Sequence, residues 1–138
     1  MIQYIAEGVE LPVIQKQKMN RWIKETALAY GKKTADISYV FCTDQRMLEV
    51  NNQFLKHDYY TDIITFDYTE GLIISGDIFI SVETVANNAT EFGVSFEAEI
   101  KRIMIHGILH LCGQDDKTPE LRQEMTRKEN LALEMYAE

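Results

Sequence analysis

The chain is short of several things at once, and each shortage removes a class of protein. It has only 2 cysteines in 138 residues. Cys42 and Cys112 lie far apart, each in apolar surroundings, so they read as two reduced core thiols of a cytoplasmic protein and not as a disulfide framework. No apolar run approaches the roughly 20 residues that span a bilayer. The N-terminus carries neither the basic flank nor the apolar stretch of a secretory leader, so no membrane partner is expected. No linker, internal repeat or low-complexity segment breaks the chain. With 46% hydrophobic content, residues 1–138 are expected to form one domain with a real core. Positive charge is scarce too: 14 Lys and Arg against 22 Asp and Glu give a net charge of −8. That argues against nonspecific nucleic-acid binding, which is driven by phosphate neutralisation. The basic residues present crowd the first third, at Lys16, Lys18, Arg21, Lys24, Lys32 and Lys33. They form either a solvated helix face, the simpler reading, or a local RNA-contact surface.

Histidine is also scarce, with 3 in the chain, and two of them stand together in its most apolar segment, His106-Gly-Ile-Leu-His110-Leu-Cys-Gly113-Gln-Asp115-Asp116. Residues four apart share one face of a helix, one turn above the other, so both imidazoles can point at one ion. Gly113 can take the positive φ that ends a helix and turns the chain back, which lets Asp116 close the site from the other side. Two imidazoles and a carboxylate with an open position make the donor set of a catalytic zinc or similar divalent ion. The bland alternative is an ordinary pair of core or surface histidines. The apolar flanks, Ile103, Met104, Ile105, Ile108 and Leu109 among them, speak against it, because a buried imidazole needs a partner. Gly107 stands where the H-E-x-x-H proteases carry their general-base glutamate, which weakens the metzincin-type reading that the H-x-x-x-H-x-x-G-x-x-D spacing otherwise suggests. Asp115 is expected to cap the turn. His57 is either a further ligand or base, or an exposed loop histidine, the simpler reading.

The remaining pattern is βαβαββααα. Strands are expected at Ile2–Ile5, Ile37–Cys42, Asp62–Tyr68 and Leu72–Ile80, the last two joined by Thr69-Glu70-Gly71. Helices are expected at Ile14–Tyr30, from a cap at Thr43 or Asp44 to Leu55, from Ser81 to Phe92, from Ser95 through the histidines, and from Thr118-Pro119 onward. This is an α/β (α+β) domain, a four-stranded mixed sheet covered by about five helices, with the metal-binding helix central. Asp62 either caps the preceding loop or orients a metal ligand. Gly76-Asp77 inside an apolar strand implies a bulge or a close backbone approach, and the Asp77 carboxylate needs a partner, a ligating histidine N–H being one option.

The histidine segment resembles the signature H-G-x-L-H-L-x-G-Y-D-H of the YbeY endoribonucleases, bacterial rRNA maturation factors, matching at His106, Gly107, Leu109, His110, Leu111, Gly113 and Asp115. Thr61-Asp62-Ile63-Ile64-Thr65-Phe66 is similar to the family's T-D-V-L-S-F block, and Gly76-Asp77-Ile78-Phe79-Ile80-Ser81 to its G-D-I-x-I-S. The blocks keep the family's order, and the likeness covers roughly the whole chain, more weakly before residue 48. Gln114 replaces the family's tyrosine and Asp116 its third histidine. Where the family has a functional arginine this chain has Leu55, with Lys56 beside it as the candidate for phosphate or transition-state charge. The resemblance implies the same fold and a metal-dependent endoribonuclease that cuts single-stranded rRNA, including 16S rRNA 3′-end processing and ribosome quality control, with the small ribosomal subunit or its proteins as partner. His106, His110 and Asp116 would hold one divalent ion, Zn2+ first and Ni2+, Mn2+ or Fe2+ after it. A carboxylate in place of an imidazole lowers the site's charge by one and shifts that selection. No residue identifies itself as the general base. The alternatives are a metal-stabilised ribosome-assembly factor that does not cut, and a metallohydrolase of another substrate such as a peptide.

Overall fold

The computed structural model describes residues 1–55 and 62–137. Four strands, β1 (Ile2–Ala6), β2 (Lys33–Cys42), β3 (Ile63–Asp67) and β4 (Ile73–Ser81), make one sheet in the order β1-β2-β4-β3. The pairings are parallel, parallel and antiparallel. The helices are α1 (Lys16–Ala29), α2 (Asp44–Val50), α3 (Val82–Phe92), α4 (Phe96–Leu111) and α5 (Pro119–Ala137). The expected α+β fold, with its mixed sheet and five helices, is therefore present.

Local chemistry accounts for most boundaries. The Thr43, Ser81, Ser95 and Thr118 hydroxyl oxygens each accept from the backbone N–H three residues on, at 3.1 Å, and so start α2, α3, α4 and α5. The two largest departures from the expected boundaries are at β2 and α2. Strand β2 begins at Lys33 and not Ile37, because Lys33 and Thr34 pair with Ile73 and Ile74 before a register shift. Helix α2 ends at Val50, and the turn Asn51–Leu55 is wider, with π-helical bonding.

The sheet buries a different apolar cluster on each face. Ile37, Tyr39, Phe41, Ile74, Ile78 and Ile80 meet α1 and α4 on one face. Cys42, Met47, Val50 and Ile64 pack on the other, beneath α2. Helix α4 is central, as expected: Ile100, Ile103, Met104, Ile105, Ile108 and Leu111 all lie in the larger cluster. Two contacts set its position. The fully buried Tyr39 hydroxyl donates to the Met104 carbonyl at 3.0 Å. A Cβ on Gly107 would stand 3.0 and 3.1 Å from two Ile78 methyl carbons and 3.3 Å from Ile63, so glycine is what lets the helix sit this close to the strands. Gly76 marks a second close approach, as the sequence suggested: a Cβ there would strike the Phe66 carbonyl oxygen and crowd Leu111. Helix α5 runs back along α4 and is tied to α1 by the Trp22 indole N–H, which donates to the Ala132 carbonyl at 2.6 Å.

Candidate metal centre

Helix α4 ends as its sequence predicts. Gly113 has φ +101°. Its N–H donates to the His110 carbonyl and the Gln114 N–H to the Leu109 carbonyl, both at 2.9 Å, the paired bonds of a Schellman turn. The Gln114 side chain, in the place of the family tyrosine, folds inward and donates to the Asp115 carbonyl at 2.9 Å. The Asp115 carboxylate accepts from the N–H groups of Asp116 and Lys117, at 2.7 and 3.1 Å. Asp115 thus caps the turn, and Asp116 faces the histidines.

The result is a compact donor set. Asp116 Oδ2 lies 3.4 Å from His106 Nε2 and 3.5 Å from His110 Nε2, and one ligand atom from each of the three residues falls within 4.8 Å of the others. Two donors held about 2.05 Å from an ion at the tetrahedral angle are about 3.3 Å apart, so the two imidazole–carboxylate separations match edges of a zinc-like tetrahedron. The group lies in a depression of about 310 Å³ that Asp62, Ile63 and Ile103 help to line. A second depression, of about 340 Å³, shares Ile63 and His110 and follows the edge strand β3 past Thr65 and Asp67. The fourth side of the donor set therefore opens onto a groove.

Sequence reasoning missed the residues behind His106. The imidazole Nδ1 is 2.6 Å from Glu129 Oε2, on α5, and Arg102 Nη1 donates to the other Glu129 oxygen at 2.8 Å. Arg102 also donates to Asn130 Oδ1 at 2.8 Å. The Glu129 side chain is only 8% exposed, so the relay is largely out of water. A carboxylate on Nδ1 keeps the proton there and leaves Nε2 as the metal-facing donor. Burial, the largest effect on His106, opposes its charged form. The Glu129 hydrogen bond and the charges of Glu129, Asp116 and Asp62 outweigh it, so the pKa ends above the usual histidine range. Among the described residues no carboxylate stands behind His110 as Glu129 stands behind His106; burial first and the neighbouring His106 second lower its pKa, against the pull of Asp116, of a hydrogen bond to the Gln114 backbone and of Asp115. One signal was available in the sequence. Glu129 falls on the same helical stripe as the buried Met125 and Ala132, where a carboxylate is out of place unless paired.

The other candidates separate. Asp62 lines the depression, but among the described residues no hydrogen bond joins it to either imidazole. Its carboxylate is 3.5 Å from Asn88 Nδ2, and burial raises its pKa against the pull of His106 and of the backbone N–H groups of Asp62 and Ile63. The loop that Asp62 is expected to cap, residues 57–60, lies outside the described residues. Asp77 is not brought to the site. Gly76 and Ile78 face α4, so strand alternation turns Asp77 to the opposite face, where it accepts from the Tyr68 hydroxyl at 3.2 Å. Cys42 and Cys112 are both free, and burial pushes each thiol up to about 11, so neither offers a thiolate. Lys56 and His57 lie outside the described residues.

The family model described as Endoribonuclease YbeY matches residues 4–137. The Endoribonuclease YbeY of Parabacteroides distasonis is 57% identical over 137 residues, covering 99% of this chain and 96% of the relative. That of Phocaeicola vulgatus is 55% identical and covers 99% of both chains. The solution structure of a protein from Thermotoga maritima superposes with a TM-score of 0.68 at 27% identity, covering 99% of this chain and 89% of the other. By its motifs, its fold and these full-length matches, the chain belongs to the endoribonuclease YbeY family.

Proposed function

We propose that this chain is a metal-dependent endoribonuclease that cuts single-stranded rRNA, with 16S rRNA 3′-end processing and ribosome quality control as its setting, the small ribosomal subunit as its partner and the cytoplasm as its location. The observation that carries the proposal is the convergence of His106 Nε2 and His110 Nε2 on Asp116 Oδ2, at 3.4 and 3.5 Å, beside an open groove. His106, His110 and Asp116 hold one divalent ion, with zinc favoured by the nitrogen-rich donors and the tetrahedral spacing. A bound ion would supply Lewis acidity for polarising a phosphoryl oxygen or activating water. Glu129 holds the Nδ1 proton of His106 and keeps the ring turned toward the ion, and Arg102 holds Glu129. Ile63 and Ile103 narrow the approach to the donors and exclude part of the water. Lys56 is our candidate, from the sequence, for the positive charge that the family arginine supplies to the substrate phosphate.

The test is cleavage of a labelled single-stranded RNA under single-turnover conditions, with and without chelator, by the wild type, His110→Ala and Lys56→Ala. Cutting that needs the metal and His110 supports the proposal. RNA binding without cutting favours a non-cleaving assembly factor, and metal-dependent peptide hydrolysis without RNA cleavage favours another metallohydrolase.

A further inference from the structure

A second cleft lies one helical turn along α4 from the metal centre. It measures about 670 Å³, and its walls include Phe92, Val94, Lys101, Arg102 and Tyr136, with Lys18 reaching in from α1. Three cationic side chains line it in a protein of net charge −8; Arg102 is already paired with Glu129, which leaves Lys18 and Lys101. The Lys18 and Lys101 ammonium groups lie 4.2 and 4.1 Å from the Tyr136 ring centre. Among the described residues, neither forms an ion pair with a carboxylate. Gathering like charges costs energy that a bound anion relieves. The cation–π attraction offsets part of this cost and leaves the ammonium protons available. Glu99 is the one acidic side chain lining the cleft among the described residues; it is 4% exposed, and its burial, outweighing the pull of Arg102, raises its pKa. The rim offers apolar surface, with Phe92 63% exposed and Val94 45% exposed. Of the six basic residues crowded into the first third of the chain, Lys18 is the one that lines this cleft. Arg102, on the wall of the cleft, and His106 are about 6 Å apart along the helix axis.

We propose that this cleft binds a nucleotide of single-stranded RNA next to the segment held at the metal centre, with its phosphate at Lys18 and Lys101 and its base against Phe92. The proposal rests on the endoribonuclease reading and adds a subsite to it. The test is steady-state cleavage of a ten-nucleotide single-stranded RNA by the metal-loaded full chain over a series of salt concentrations. Lys18→Gln/Lys101→Gln should raise KM about fivefold or more with metal content unchanged, and should flatten the dependence of log KM on log salt by about 0.7, the share of one phosphate on a single strand. Phe92→Ala should raise KM about fivefold or more through lost stacking and leave the salt slope alone. If the wild type cuts and the double variant keeps the wild-type KM and slope, the subsite is refuted while the endoribonuclease reading stands. If the wild type cuts no single-stranded RNA, both fall together. If an acidic peptide binds the wild type and not the double variant while KM for RNA is unmoved, the cleft takes a protein segment and the proposal is overturned.

Discussion

Glu129→Gln is the sharpest probe of the metal centre, because it keeps the side chain's shape and breaks its logic. Both carboxylate oxygens of Glu129 accept, one from His106 Nδ1 at 2.6 Å and one from Arg102 at 2.8 Å. An amide has one acceptor and one donor. Whichever way it turns, its NH2 meets either the imidazole N–H or the guanidinium N–H. With the side chain only 8% exposed, water does little to make good the loss. A hydrogen bond to a charged group is worth about 1.5–3 kcal/mol, which corresponds to roughly 10- to 100-fold in an equilibrium constant. The same range, about 10- to 100-fold in metal affinity, is usual for carboxylate partners of metal-binding histidines. The assay is competition against a chromophoric chelator at neutral pH, with circular dichroism to show that the variant is folded. The zinc Kd should rise about 10- to 100-fold, and Arg102→Gln should move it the same way by less, since Glu129 keeps its bond to His106. A Glu129→Gln variant that binds zinc within a factor of about two of wild type, while His106→Ala loses the metal, refutes the argument that the relay tunes the site.

Elsewhere in the turn, Asp116→Ala should lose most metal affinity and Asp116→His should retain it. Asp115→Ala should keep the metal and lose about 1 kcal/mol of stability with its capping bonds; elemental analysis that finds metal in Asp116→Ala and none in Asp115→Ala reverses the assignment. Chelation should lower the melting temperature without unfolding the chain, because the buried core stands by itself and an ion at 100 to 1,000 times its Kd adds only about 3–4 kcal/mol; a random-coil spectrum after chelation makes the site structural. Gly107→Ala should cost about 1–3 kcal/mol by driving a methyl into Ile78, and calorimetry showing an unchanged melting temperature contradicts the close approach. Burial, the leading effect on Glu99, raises its pKa, so the folded state holds that proton more tightly than the unfolded chain. Its contribution is fully present below the unfolded pKa and fades as pH rises through the folded one. Glu99→Gln should therefore melt higher than wild type at neutral pH and lose less stability than wild type as pH rises through the acid range, and the opposite trend in urea titrations refutes that assignment.

What the sequence determined by itself is what local physics decides. Helical spacing puts His106 and His110 on one face, and a single positive-φ residue, Gly113, swings Asp116 toward them while Asp115 stays with the turn. Four residues of chain suffice for the first step and six for the second, so no distant contact is needed. The same holds for the capping hydroxyls of Thr43, Ser81, Ser95 and Thr118. Tertiary structure decided everything that depends on which surfaces meet. The early start of β2 follows from its pairing with β4, which no local pattern around Lys33 announces. Alternation along β4 was legible, but only the docking of α4 says which face is which, and that docking sends Asp77 away from the site. Gly107 reads in the sequence as a missing catalytic glutamate, and in the fold as the point where the helix rests on Ile78. Glu129 reaches His106 from 23 residues away only because α5 folds back along α4. A hydrogen bond between partners so far apart in sequence is set by packing of the whole core, and the 3.6-residue period of one helix carries no information about it.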